Sequence, residues 1–288
     1  MPSPYQILKN IHRKLRIGIK NQFNPEISQR KLNAFIKSMG GGATAKISAN
    51  QNPSVAIVIP CYGHAPFLTD MFESIRMQTN PPKQVIFVVD QSPDNSLQIL
   101  RDLVVQYSAS MTSEFIILEN DKNLGQAASL NKGIEYSDAD LIMILNDDDY
   151  LMHDSIEVAL QILKRHSEAA LLGGHSLHFG GKELESMPKR IQSICQAEHI
   201  EIDLRYPVQV KTYQKYNDIN MTHSGSIFYK SAWNTIGGYY PDKTQRIVHF
   251  SDRDFQLRMN ALFPVALSNI TPLSCWRNDS SVDQGVNS

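Results

Sequence analysis

The chain has 288 residues, 42% of them hydrophobic, enough for two average domains or one large α/β domain with a sizeable core. Its 28 basic and 29 acidic side chains leave a net charge of −1 and a pI near 6.8, which excludes a generally basic nucleic-acid binder. The longest apolar stretches, such as Val55–Pro60 and Leu141–Leu145, fall far short of the roughly 20 residues that cross a bilayer.

The charge is unevenly spread. Residues 1–50 hold nine basic side chains and one acid, net +8, which leaves the remainder at net −9. From Pro4, the positions Ile7, Leu8, Ile11, Leu15 and Ile19 recur at helical spacing, with Lys9, Arg13, Arg16 and Lys20 mostly opposite. Ser3 reads as the cap of this basic amphipathic helix and Pro25 as its stop. A weaker helical pattern (Leu32, Phe35, Ile36, Met39) leads into Gly40-Gly41-Gly42 and a polar stretch to Pro53. The expected organisation is therefore an extension over 1–38, a linker over 39–53 and a catalytic-size domain over 54–288, with halves 54–150 and 151–288. The extension carries no continuous apolar stretch of the kind that follows the cations of a secretory signal. Cys61, Cys195 and Cys275 are widely spaced and fit neither a disulfide framework nor a zinc site, so a reducing cytoplasm is expected and the sequons at Asn220, Asn269 and Asn278 read as chance matches.

After the linker, buried-strand runs alternate with helical patterns. The strands are Val55–Pro60, Gln84–Asp90, Glu114–Glu119 and Leu141–Leu145; the helices are about 65–79, 96–108, 126–137 and 155–166. Runs such as V-A-I-V-I-P and L-I-M-I-L lack polar alternation, so both faces must be covered, which predicts an α/β fold with a parallel sheet. Further on, a strand at 224–229 and a helix at 252–261 are the firm features, and 180–220 has no readable pattern.

In a parallel sheet ligands bind at the carboxyl ends of strands. Three of those ends are polar here: Pro60-Cys61-Tyr62-Gly63, Asp90-Gln91-Ser92-Pro93-Asp94 and Asn146-Asp147-Asp148-Asp149. Adjacent carboxylates after a buried strand suit a hard divalent cation bridging a diphosphate, with a solvated turn that caps the next helix as the alternative. The helix opening Asn123-Leu124-Gly125-Gln126 offers backbone N–H groups to an anion, or simply packs tightly. The sequence has no G-x-G-x-x-G after the first strand and no G-K-[ST], which removes the dinucleotide and P-loop readings.

Taken in order, V-A-I-V-I-P-C-Y, V-V-D-Q-S-P-D, N-L-G-Q-A-A-S-L-N-K-G, L-N-D-D-D, G-S-I-F-Y-K, I-G-G-Y-Y and S-D-R-D-F-Q-L-R resemble the family-2 inverting glycosyltransferases over about residues 54–280. The resemblance implies a GT-A fold, a Rossmann-like mostly parallel sheet sandwiched by helices. It implies a nucleotide-diphosphate sugar as donor, a UDP-sugar being favoured, a glycan or lipid-linked hydroxyl as acceptor, and Mg2+ or Mn2+ as cofactor. Residue by residue, Tyr62 and Asp90 match positions that hold the base, in a rim with Pro60, Asn123 and Gly125. Asp147 matches a ribose contact, Asp148 the metal ligand, Gly225 and Ser226 the donor-sugar pocket, and Asp252 the catalytic base. Arg277 is the best candidate for the diphosphate, because Asn278-Asp279-Ser280 offers no equivalent of the family's histidine. Gln91, Cys61, Asn146 and Ser251 depart from the common Asp, Thr or Ser, Asp and Glu.

One metal and one base suffice for inversion, whereas glycoside hydrolysis needs two opposed carboxylates. Asp254 rivals Asp252, but the two lie about 200° apart on a helix, so only one can face substrate. His175 and His178 would point to opposite faces of a strand, Cys61 reads as a packing thiol, and Trp233 and Trp276 suit either a sugar platform or packing. The rival functions are a sugar-nucleotide-forming nucleotidyltransferase, which lacks its Gly-rich basic signature here, and a non-catalytic nucleotide-binding homologue. The extension's stripe suits peripheral contact with an anionic membrane, or packing on its own acidic domain or on another subunit.

Overall fold

The computed structural model describes residues 25–40, 47, 50–179, 201–207, 221–268 and 272–277. The basic stripe expected over residues 4–20, the side chain of His178 and the tail from Asn278 lie outside the described residues.

The apolar runs form the expected strands. β1 (Val55–Cys61), β2 (Gln84–Val89) and β4 (Leu141–Ile144) are buried at every position, and β1 pairs in parallel with both neighbours. With β3 (Glu114–Glu119), β6 (Leu171–Gly174), β8 (Ile202–Arg205), β9 (Ile227–Tyr229) and β10 (Val265–Ser268), they make one eight-stranded sheet in the order β3-β2-β1-β4-β9-β6-β10-β8. The sheet is parallel except at β9 and the edge strand β8, each of which runs against its neighbours. β1 and β4 pair only over Val55–Val58; Pro60, which has no N–H to donate, lies beyond that register, where the two chains part.

Alternation along β2 assigns the helices to opposite faces. Phe72 on α2 (Leu68–Arg76) stacks on Phe87 and on Phe115 of β3, with ring centroids 6.0 and 5.2 Å apart. Gly133 on α4 (Gln126–Tyr136) instead sits against Val58, Ile86 and Val88, the residues on the other face. A Cβ there would come within 2.6 Å of Val58, so the close approach of α4 to the sheet requires glycine. α3 (Ser96–Tyr107) packs beside α2, and α5 (Ser155–Arg165) and α6 (Lys230–Ile236) add buried apolar faces. The helix expected from residue 65 is a 3₁₀ turn over Ala65–Phe67 followed by α2, with Pro66 in that turn. A smaller sheet, β5 (Tyr150–Leu151), β11 (Ser274–Arg277) and β7 (Leu177–Phe179), brings the last described strand against the acidic turn after β4.

Pro25 opens a helix: α1 spans Pro25–Ser38, and proline is well suited to a first turn whose N–H groups have no helical partner. Its Leu32 and Phe35 are buried in the same core as the sheet, and α1 packs on α7 (Ser251–Leu262). The second half of the expected extension is thus built into the domain.

Candidate active site

The C-terminal ends of β1, β2 and β4 converge as parallel-sheet topology requires. The chain leaves β1 through Gly63, whose φ of +77° is open to glycine, and returns two polar groups to the turn after β4. The Tyr62 N–H donates to Asp147 Oδ2 (2.8 Å), and His64 Nδ1 lies 2.7 Å from Asp147 Oδ1. Burial pushes the Asp147 carboxyl above its ordinary value, and the His64 hydrogen bond pulls it back part of the way.

The three adjacent acids divide their work. Asp147 is fastened to the β1 loop. Asp149, wholly buried, accepts hydrogen bonds from Ser224 Oγ (2.5 Å), Asn146 Nδ2 (3.2 Å) and the Arg277 N–H (3.0 Å), and burial followed by the Asp148 charge pushes its carboxyl up to about 7. Asp148 points to the cleft. It is only 6% exposed, yet among the described residues no donor hydrogen-bonds its carboxylate, and its Oδ2 is 4.0 Å from His64 Nε2. One ligand atom each from His64, Asp147 and Asp148 can be drawn within 4.8 Å of one another. Two carboxylates and an imidazole suit Mn2+ or Mg2+, and a buried carboxylate without a donor fits a cation.

Asp90 organises the facing wall. Its Oδ1 accepts from Asn120 Nδ2 (2.7 Å) and the Leu124 N–H (2.8 Å), and its Oδ2 from the Gly125 N–H (2.7 Å), so the carboxylate folds the Asn123–Gly125 loop over the strand end. Gln91, next to it, has a φ of +52°, unusual for a residue with a side chain, and its Oε1 accepts the Asn123 N–H at 3.2 Å. Gly125, at +81°, opens α4.

Between these walls lies a cavity of about 540 Å³ lined by Pro60, Tyr62, Asp90, Asn123, Gly125, Asp147 and Asp148. A second, of about 840 Å³, is lined by Asp252, Ser224, His223, His175 and His249, and the two share Gln126, Asn146, Lys243, Arg246, Ser251 and Trp276. Asp252, in the first turn of α7, therefore lines a cavity that adjoins the one lined by Asp148. Asp254 turns inward: both it and Arg258 have fully buried side chains and form an ion pair at 2.9 Å. His223 Nε2 lies 2.9 Å from the Tyr239 hydroxyl, and burial lowers the imidazole's pKa while the Asp252 charge acts against that.

Three expected site residues stand apart from both cavities. Gly225 (φ +81°) donates its N–H to Ile144 O and fits against Ser274, where a Cβ would meet Oγ at 2.9 Å. Ser226 donates to His223 O at 2.6 Å; its neighbour Ser224 is the one that lines the cavity. Arg277 is buried, with Nε donating to Asp148 O (3.0 Å), Nη2 to the Tyr150 hydroxyl (2.8 Å), and its guanidinium 4.1 Å from the Phe67 ring centre. It shapes the acidic turn from behind. Burial holds the Cys61 thiol well above its ordinary pKa, as a packing thiol requires, and Trp233 is buried whereas Trp276 lines the cleft. No pattern in the sequence marks His223, Lys243 or Arg246 as site residues, whereas His64 carries a signal, standing two residues after Tyr62 on a ligand-facing strand end.

The family model described as Glycosyl transferase family 2 matches residues 56–237, more than half of the chain. The chain is 27% identical over 128 residues to TuaG of Bacillus subtilis (strain 168), named for a glycosyltransferase of teichuronic acid biosynthesis; the match covers 44% of this chain and 49% of that protein. It is 23% identical over 199 residues to the poly-beta-1,6-N-acetyl-D-glucosamine synthase of Staphylococcus epidermidis, covering 68% and 44%. The matches thus span about half the length of these relatives. Among solved structures, S. aureus TarS 1–349 in complex with UDP-GlcNAc superposes with a TM-score of 0.57 at 14% identity, over 79% of this chain and 59% of that one. The mannosyltransferase PcManGT of Pyrobaculum calidifontis, in complex with GDP-Man and Mn2+, does so at 0.52 and 15%, over 86% and 62%. These likenesses support the GT-A architecture.

Proposed function

The chain belongs to glycosyl transferase family 2, and from that premise we propose that it moves a sugar from a nucleotide-diphosphate donor to a hydroxyl acceptor with inversion, with the help of a divalent cation. The reading is carried by one observation: Asp148 and Asp252 line two adjoining cavities whose walls share six residues. The first cavity is the donor side, where the Tyr62 ring stacks on the base and the loop fastened to Asp90 closes over it. A UDP-sugar is the favoured donor; TarS is a fold neighbour that binds UDP-GlcNAc.

His64, Asp147 and Asp148 are the residues to hold Mg2+ or Mn2+. A cation held there would supply Lewis-acid stabilisation of the negative charge that gathers on the leaving diphosphate. Asp252 takes the acceptor hydroxyl's proton as its oxygen attacks the anomeric carbon from the second cavity. Asp254, tied to Arg258, has no part in that step. The buried Asp149 holds Asn146, Ser224 and β11 together and so fixes the angle at which Asp148 enters the cleft.

The relatives act in polysaccharide synthesis by their names, which supports an acceptor that is a surface glycan or a lipid-linked precursor. Among the described residues no helix is long and apolar enough to cross a membrane. A cytoplasmic enzyme held peripherally at the inner membrane face fits such an acceptor, and because α1 is committed to the core, that contact falls to residues 1–24.

The test is a set of nucleotide sugars incubated with the protein and Mn2+ or Mg2+, read as slow release of nucleoside diphosphate. Release from one donor, lost with chelator, supports the reading. Formation of pyrophosphate from a nucleoside triphosphate and a sugar phosphate would replace it with nucleotidyl transfer, and tight nucleotide binding without turnover by a non-catalytic role.

A further inference from the structure

We propose that Lys31, on α1, is a positioning residue for the cleft: its ammonium latches the segment Tyr240–Phe250, a wall shared by both cavities. The inference rests on the glycosyltransferase reading above only for the meaning of that wall. Both α1 and this segment lie outside the region that defines the family match, residues 56–237.

Tyr240–Phe250 contains no helix or strand, yet it supplies Pro241, Lys243 and Arg246 to the first cavity and Lys243, Arg246, His249 and Phe250 to the second. It then runs directly into Ser251 and Asp252 at the start of α7. A segment of this kind must satisfy its carbonyl groups without a ladder. Two cations do so. From inside, the Arg246 guanidinium donates to Tyr240 O (2.7 Å), Pro241 O (3.1 Å) and His249 O (2.9 Å), curling the segment around itself. From outside, Lys31 Nζ donates to Thr244 O (2.6 Å) and Arg246 O (2.7 Å), more than two hundred positions away in sequence.

The base of the latch is firm. Leu32 and Phe35 bury α1 against the core, and the Arg258 guanidinium covers the Tyr240 ring at 3.7 Å and lies 5.9 Å from the Phe35 ring, so helix and segment share a neighbour. Among the described residues no carboxylate lies within ion-pair distance of Lys31, although its charge helps to lower the Asp242 carboxyl after the Thr244 hydrogen bonds; its hydrogen-bond partners are the two carbonyls. Charge-assisted bonds to carbonyls are stronger than neutral ones, and removing the donor leaves the partly buried Arg246 carbonyl and the exposed Thr244 carbonyl without the cation that draws them together. Ile247 and Val248 remain buried and Ile247 N–H remains bonded to Asp254 Oδ1 (2.6 Å), so the end near α7 keeps its seat while Tyr240–Arg246 loosens. The donor-side residues Tyr62 and Asp90 are tied to other segments, Tyr62 through Asp147 and Asp90 through Asn120, Leu124 and Gly125.

Lys31→Met keeps the aliphatic stem and the Leu32–Phe35 packing but removes the two donors; Lys31→Arg keeps them. In Lys31→Met, amide hydrogen exchange should quicken within Tyr240–Phe250 and nowhere in the sheet, the melting temperature should change little, and kcat for transfer should fall about tenfold with a smaller rise in donor KM, since small misplacements of a catalytic wall cost rate more than binding. Lys31→Arg should restore both. Unchanged exchange in that segment overturns the latch, as does faster exchange spread through the whole chain; faster local exchange with unchanged kcat overturns its link to the cleft. If the wild-type protein turns over no nucleotide sugar, the transferase reading fails on its own account, and the exchange measurement still decides whether Lys31 holds the segment.

Discussion

Asp252 and Asp254 stand two residues apart on the first turn of α7 and face opposite environments, one lining the larger cavity and the other buried in an ion pair with Arg258. The separation follows from helix geometry, which turns successive residues by about 100°. It predicts that the two asparagine variants fail differently. Asp252→Asn should fold and bind donor normally while transfer falls by about 10²–10⁴, the loss expected for a positioned base. Asp254→Asn leaves a buried guanidinium without its carboxylate, which costs about 3–5 kcal/mol of stability, so this variant should melt early or fail to accumulate. Melting temperature and initial rate on both proteins check the pair; equal stability would contradict the burial of Asp254.

The division of the acidic turn gives a second expectation. Asp148→Asn removes the one carboxylate of the three that no donor satisfies, so transfer should drop by at least 10²–10³ and the metal-dependent gain in nucleotide affinity should vanish, with stability unchanged or slightly raised. Asp149→Asn differs, because that side chain accepts from Ser224, Asn146 and Arg277 at once, and its loss should lower stability as well as activity. Calorimetric titration of UDP with and without Mn2+ separates the two.

Much of the fold is legible because strands buried on both faces produce continuous apolar runs: β1, β2 and β4 begin and end within a residue or two of their runs. The rim residues Tyr62, Asp90 and Asp148 are legible for a related reason, since polar residues directly after such runs fall at strand ends. What is not legible depends on contacts between distant segments. Nothing in D-D-D says which acid turns inward; β11, more than a hundred residues later, decides it by presenting the Arg277 N–H to Asp149. Arg277 reads as a free cation beside a diphosphate, yet three aromatic rings and the Asp148 carbonyl claim it. Leu32 and Phe35 read as a weak helix in an extension because the surface they cover, on α7, comes from the far end of the domain.

Gly133 offers a check on the packing that carries the rim. A methyl group there would press on Val58 and Val88 from a backbone that cannot retreat without lifting the start of α4, and Asn123–Gly125 with it. Gly133→Ala should cost about 1–3 kcal/mol despite alanine's better helix propensity, measured by denaturant unfolding. A neutral or stabilising result would mean that α4 stands farther from the sheet.

Asp94 makes stability depend on pH in acid. Burial alone would raise its carboxyl, but hydrogen bonds from Ser92, Ser96 and the Ala65 N–H outweigh that and hold it at about 2, against a value near 3.9 in an unfolded chain. Between those values the unfolded chain binds more protons, so the stabilisation is complete above about pH 4 and fades as pH falls toward 2. Wild type and Asp94→Asn should therefore differ most near neutrality and converge in acid. A difference that does not change between pH 5 and pH 2 would show that the carboxylate's charge is not what ties the β2 loop to the turn after β1.

The basic N-terminal stripe can now be tested apart from α1. Ile7, Leu8, Ile11, Leu15 and Ile19 beside Lys9, Arg13, Arg16 and Lys20 suit an anionic bilayer, where each cation near the surface contributes about 1 kcal/mol and falls off with salt. Removing residues 1–38 would also strip Leu32 and Phe35 from the core and confuse loss of membrane contact with loss of stability. A protein beginning at Pro25 keeps α1 and the Lys31 contacts. The full chain should float with anionic vesicles at low salt and release at high salt, whereas the shortened one should stay below. Equal flotation of the two, or none, would assign the stripe to a contact with the domain or with another subunit, and an analytical ultracentrifugation comparison of the same two proteins would then tell which.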